Sequence, residues 1–218
     1  MLRTLSTTLL FVATAVTGAA VPAATASQAM PPEGDPMGDP QAGQAAATVC
    51  SACHGQAGKA ILPSYPNLGG QHYEYLLKQL RYFKSGERYA QLMAGQVDNL
   101  PDETLRDLAA FYAAQDKPEG AAEGDALALG ERIYRAGIVE KGVPSCTACH
   151  SPRGLGNGPA AFPVLSGQNA EYTAAQLKAY RAGERQTDES LGGMMRGVAR
   201  NLNDEEIAAV SAYVQGLH

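Results

Sequence analysis

"VCSACHG" occupies residues 49–55 and "SCTACHS" residues 145–151. Each stretch sets two cysteines three positions apart with a histidine directly after the second: Cys50, Cys53 and His54, then Cys146, Cys149 and His150. The duplication extends outward. Pro66, Leu68 and Gly70-Gln71 match Pro163, Leu165 and Gly167-Gln168. Tyr75 and Gln79-Leu80 match Tyr172 and Gln176-Leu177, and Gly86-Glu87-Arg88 matches Gly183-Glu184-Arg185. Further on, Met93, Asn99-Leu100 and Asp102-Glu103 pair with Met195, Asn201-Leu202 and Asp204-Glu205. An internal repeat of this size means two homologous domains, expected over 41–115 and 127–218. The intervening 116–126 is rich in Pro, Gly and acidic residues and reads as a linker.

Within each half the apolar pattern is helical. Tyr73, Leu76, Leu77, Leu80 and Phe83 recur at three- and four-residue spacing, as do Leu105, Leu108, Phe111 and Tyr112. The matching segments are 172–180 and 207–213. Asn203 with Glu206 makes a capping pair, and Pro101 with Asp102 and Glu103 suits a first helical turn. No strand-like alternation is present, so the fold class expected is all-α: two tandem domains joined by a short linker.

The opening MLRTLSTTLLFVATAVTGAAVPAATASQA has a cation at Arg3, an apolar stretch and an Ala24-Thr25-Ala26 site of the small-x-small type. Residues 1–26 are therefore expected to be a secretory signal cut after Ala26. A retained anchor is the alternative, although Thr14, Thr17, Gly18 and Pro22 interrupt the stretch, which falls short of the ~20 apolar residues a spanning helix needs. Residues 27–40, rich in Pro, Gly and acids, read as a disordered leader, so Met30 and Met37 are discounted as ligands. The chain has 22 acidic and 17 basic residues, and losing the signal removes one cation more. That balance argues against nucleic acid or an anionic membrane as partner, since both reward clustered Lys and Arg.

In an exported chain the four cysteines could form two short disulfides, but this leaves both histidines unexplained. Zinc would use the same residue types without a zinc-finger spacing. A thioredoxin-like redox pair would need a βαβ context. Covalent haem attachment employs every residue of the motif: both thiols, Cys50 with Cys53 and Cys146 with Cys149, add to the haem vinyl groups, and His54 or His150 is then placed to bind iron. A thioether sulfur on the opposite face would raise the iron potential. Met93 is the candidate in the first half. In the second, Met194 and Met195 compete, and alignment back from Leu100 and Leu202 favours Met195. Ligand histidines need their other ring nitrogen hydrogen-bonded, and Pro66 and Pro163 are candidates to supply the carbonyls. His72 pairs with Asn169 and is expected at a helix start on the surface. His218 is expected to be solvated.

With two CxxCH sites, proline loops and downstream methionines in tandem, residues 41–218 resemble the dihaem cytochrome c4 family of bacterial periplasmic electron carriers. The carrying motifs are CSACH, YPNLGGQHYEYLLKQL, GER and the Met93 loop, then CTACH, FPVLSGQNAEYTAAQL, GER and GGMMRGVARNLNDEEI. One departure is IYRAGIVEKGVPS, a longer approach to Cys146 than the first half shows before Cys50. The resemblance implies two class I cytochrome c folds, two covalently bound haem c groups (iron) with His/Met ligation, and haems facing each other across the domain interface. It also implies a periplasmic location and a carrier, not an enzyme, passing electrons from a quinol-oxidising complex to a haem-copper terminal oxidase. Such a carrier would be free or loosely associated with the membrane. A dihaem electron-accepting subunit of a periplasmic dehydrogenase, flavocytochrome-like, is the alternative. A dihaem peroxidase is the third reading and would need an open iron position, whereas each half offers a methionine.

Overall fold

A computed structural model describes residues 37–122 and 124–218. The expected signal sequence, and residues 27–36 of the expected leader with Met30, lie outside the described residues. Nine α-helices and two single 3₁₀ turns make up the regular structure there, without a strand. The first half holds α1 (Pro40–Ala46), α2 (Ser51–His54), α3 (Tyr73–Ser85) and α4 (Asp102–Ala113). The second holds α5 (Leu127–Ala136), α6 (Thr147–His150), α7 (Ala170–Ala182), α8 (Met194–Ala199) and α9 (Asp204–Gln215).

Each half is built on the same crossing of its first and last long helices: α1 packs on α4, α5 on α9. Both crossings run over a glycine. A Cβ on Gly43 would sit 2.0 Å from the Asp107 carbonyl oxygen, and one on Gly130 would sit 2.2 Å from that of Ala209. Only a residue without a side chain lets the backbones approach this closely. Leu76, Leu77, Leu105, Leu108 and Phe111 then form one core, and Ile133, Tyr134, Ile207, Val210 and Val214 the other. The long approach to Cys146 is ordered by a 3₁₀ turn over Val139–Lys141 and an isolated antiparallel bridge between Ile138 and Val143.

Helix ends follow the sequence signals unevenly. Asn203 and Glu206 form a full capping box: the Glu206 N–H donates to Asn203 Oδ1 at 2.8 Å, and the Asn203 N–H donates to Glu206 Oε2 at 2.9 Å. The second Glu206 oxygen accepts from Lys141 Nζ at 2.7 Å, tying the approach loop to α9. By contrast α4 begins at Asp102 behind Pro101, with no side-chain cap. Replacing Asn203 with alanine is expected to cost about 1 kcal/mol, the usual worth of such a cap. A lowered urea midpoint by circular dichroism checks it; an unchanged midpoint would show that the cap is redundant with the Lys141 tie.

Candidate haem site

Each cysteine motif folds as a single helical turn. Cys50 precedes α2 and Cys146 precedes α6, so thiols at i and i+3 and the imidazole at i+4 fall on one face. None of the four cysteines is in a disulfide, and all are half-buried. Before any haem is attached, burial pushes the Cys146 thiol up to about 11 and raises that of Cys50. His54 and His150 are 8% and 7% exposed. Burial lowers the pKa of each below the ordinary histidine range, outweighing the opposite effect of a hydrogen bond to a backbone carbonyl. Those bonds run from His54 Nδ1 to the Pro66 oxygen and from His150 Nδ1 to the Pro163 oxygen, both 3.1 Å. A carbonyl can only accept, so Nδ1 carries the proton and Nε2 keeps its lone pair. Neutral imidazole with a fixed tautomer is the form that binds a metal.

The cysteines and histidines of both motifs line one continuous cavity of about 960 Å³ that runs through the two halves. Its walls are largely apolar, with Leu68, Leu80 and Phe83 on one side and Leu165, Leu177 and Val198 on the other. Met93, Met194 and Met195 all border it. Met93 and Met195 are half-buried, whereas Met194 is 41% exposed. The structure thus brings every sequence-predicted ligand candidate to the same cavity. Among the described residues no three His, Cys, Asp or Glu side chains gather as a cluster for a bare metal ion.

Where the halves meet, Arg88 and Arg185 are buried side by side. The αL glycines Gly86 and Gly183 end α3 and α7 and turn each arginine back toward the seam. Arg88 Nη1 donates to Gln79 Oε1 at 2.8 Å and its Nη2 to Gln176 Oε1 at 3.1 Å. Arg185 mirrors this, with Nη1 to Gln176 Oε1 at 2.7 Å and Nη2 to Gln79 Oε1 at 3.1 Å. Tyr172 and Tyr75 hydroxyls accept the crossing bonds, at 3.0 and 3.1 Å. Burial raises the Tyr172 phenol pKa, and the two guanidinium charges more than reverse that. Among the described residues neither arginine has a carboxylate within ion-pair distance. Two buried like charges without a counter-charge are costly. Paired thiols, an imidazole with a free lone pair, thioether sulfurs, an apolar slot and a cationic seam suited to propionates together fit haem.

Sequence reading missed this seam. Gly-Glu-Arg was visible as a repeat, but nothing local showed that its arginines would be buried. His72 also departs from expectation: it stands at the N-terminus of α3, yet it is half-buried, with Nε2 2.7 Å from the Leu155 carbonyl oxygen in the other half.

The chain is similar to known proteins over most of its length. Residues 127–218 match the family model described as cytochrome c, and residues 40–111 match that of cytochrome c oxidase, cbb3-type, subunit III. Cytochrome c4 of Thiocapsa roseopersicina is 49% identical over 183 residues, covering 83% of this chain and 94% of the relative. The crystal structure of reduced recombinant cytochrome c4 from Pseudomonas stutzeri superposes with a TM-score of 0.81 at 43% identity, over 83% of this chain and all of that one. A thiosulfate dehydrogenase electron acceptor from Stutzerimonas stutzeri is 38% identical over 172 residues, 77% of this chain and 78% of the relative.

Proposed function

The chain belongs to the cytochrome c4 family, a dihaem electron carrier, and from that membership we propose that it works in the periplasm, relaying electrons from a quinol-oxidising complex to a haem-copper oxidase. Two covalently bound haem c groups belong to it, one per half, and the chemistry they supply when bound is reversible one-electron exchange at iron. Cys50 with Cys53, and Cys146 with Cys149, would hold them through thioethers. His54 and His150 would each offer iron the Nε2 lone pair that the Nδ1 bond to a proline carbonyl leaves free. Met93 and Met195 would each offer a thioether sulfur to an iron from the cavity wall, which suits the chain to outer-sphere transfer. The buried Arg88/Arg185 seam would offset the negative charge of haem propionates. Exposed Val49 and Leu92 rim the first half of the cavity and Leu191 and Met194 the second, giving partner proteins an apolar edge to contact.

The observation that carries the reading is the duplicated set of two thiols, tautomer-fixed imidazole and thioether on one cavity. Export rests on the N-terminal sequence pattern. No helix among the described residues is long and apolar enough to cross a membrane. A redox titration followed by absorption tests the proposal. It should show two low-spin haems per chain, each with a sulfur-to-iron charge-transfer band when oxidised. A high-spin component with peroxide turnover would overturn it. The second reading, an acceptor subunit of a dehydrogenase, draws on the likeness to the thiosulfate dehydrogenase electron acceptor. Purification from the native source decides between them, since a stable complex with a dehydrogenase would favour the subunit.

A further inference from the structure

Two buried glutamines form a crossed pair of clasps at the seam. Gln71 Nε2 donates to the Val164 carbonyl at 2.9 Å, and the Val164 N–H donates back to Gln71 Oε1 at 2.8 Å. Gln168 does the same in the opposite direction: Nε2 donates to the Asn67 carbonyl at 3.0 Å, and the Asn67 N–H donates to Gln168 Oε1 at 2.8 Å. Each glutamine oxygen also accepts the N–H of the residue after its own, His72 or Asn169, at 3.0 Å. Gln71 and Gln168 are 6% and 8% exposed, so water does not compete for these bonds.

What they grip is specific. The N–H of Asn67 and the carbonyl of Pro66 belong to one planar peptide group, and that carbonyl is the acceptor for His54 Nδ1. The N–H of Val164 and the carbonyl of Pro163 are likewise one peptide, holding His150 Nδ1. Each imidazole is therefore the end of a three-member chain: ring N–H to proline carbonyl, across the peptide, then N–H to a glutamine oxygen of the other half. Hydrogen bonds in series polarise one another, and a better acceptor behind a metal-bound histidine makes it a more basic ligand.

We propose that Gln71 is a positioning residue for His150 and Gln168 one for His54, so that each half sets the orientation and basicity of the axial histidine in the other. The inference rests on the reading of His54 and His150 as iron ligands. A more basic imidazole favours the more positive, oxidised iron, so removing a clasp raises the potential of the haem in the opposite half.

The test uses the full-length holoprotein and the near-isosteric variants Gln71→Met and Gln168→Met, with haem-resolved potentials from paramagnetic NMR redox titration. Gln71→Met should raise chiefly the C-terminal haem potential, and Gln168→Met chiefly the N-terminal one. In parallel, amide exchange should lose protection at Val164 in the first variant and at Asn67 in the second. Shifts confined to the variant's own half, equal shifts of both haems, or none would overturn the proposal. Should Gln71→Met fail to accumulate, Gln71→Asn, one methylene too short to reach, is measured in the same way. Wild-type spectra separate the two levels: low-spin haems with nitrogen ligation and no crossed shift sink only this inference, whereas absent histidine ligation sinks the reading beneath it.

Discussion

Replacing Cys50 and Cys53 together with serine is expected to yield a protein carrying one covalently attached haem instead of two, with the C-terminal haem retained. The mirrored change at Cys146 and Cys149 should leave the N-terminal haem alone. The prediction follows from the one-turn geometry of α2 and α6, which serves each motif locally: no cysteine of one half substitutes for those of the other, because each pair sits with its own histidine. Serine keeps the shape but forms no thioether, and His54 by itself would make only a reversible bond to iron. Denaturing mass spectrometry and the pyridine haemochrome assay read the stoichiometry directly. Two haems surviving denaturation in either variant would contradict the attachment scheme.

The second large effect concerns the proposed sulfur ligand. Met195→Ala should abolish the sulfur-to-iron charge-transfer band of the C-terminal haem, open that iron to azide or cyanide, and lower its potential on the order of hundreds of millivolts, given that axial ligation tunes haem over about 0.8 V. A thioether is a weak donor that favours reduced iron, which is why its loss moves the potential downward. Met194→Ala should leave band and potential in place. Both residues open α8 and both border the cavity, but Met194 is 41% exposed while Met195 is half-buried, and a ligand must turn inward. Loss of the band in the Met194 variant with retention in the Met195 variant would reverse the assignment. Met93→Ala should reproduce the Met195 result in the first half, the two midpoints moving independently.

Much of this molecule was legible from local spacing. Helical periodicity at 73–83 and 105–112 became α3 and α4, and Asn203 with Glu206 became a capping box because every atom involved lies within one turn. The proline carbonyls were anticipated from the repeat, and the Nδ1 contacts at 3.1 Å are found in both halves. Gly43 and Gly130 were not singled out, since a glycine's role at a helix crossing depends on the helix it meets. His72 was expected at the surface and is instead held by a carbonyl of the other half.

By itself the sequence determined the attachment pattern of each haem motif: thiols at i and i+3 with imidazole at i+4 share a face in any single turn of helix, so a CxxCH attachment site is written in five consecutive residues. Tertiary structure alone decided what joins the two motifs. The clasps pair the Gln71 and Gln168 side chains with backbone groups of Val164 and Asn67 about a hundred positions away, and a backbone N–H or carbonyl belongs to no side-chain pattern that would advertise the pairing. The buried Arg88/Arg185 seam has the same origin, because two cations share a buried site only once both halves close over them and exclude the water that would otherwise solvate each.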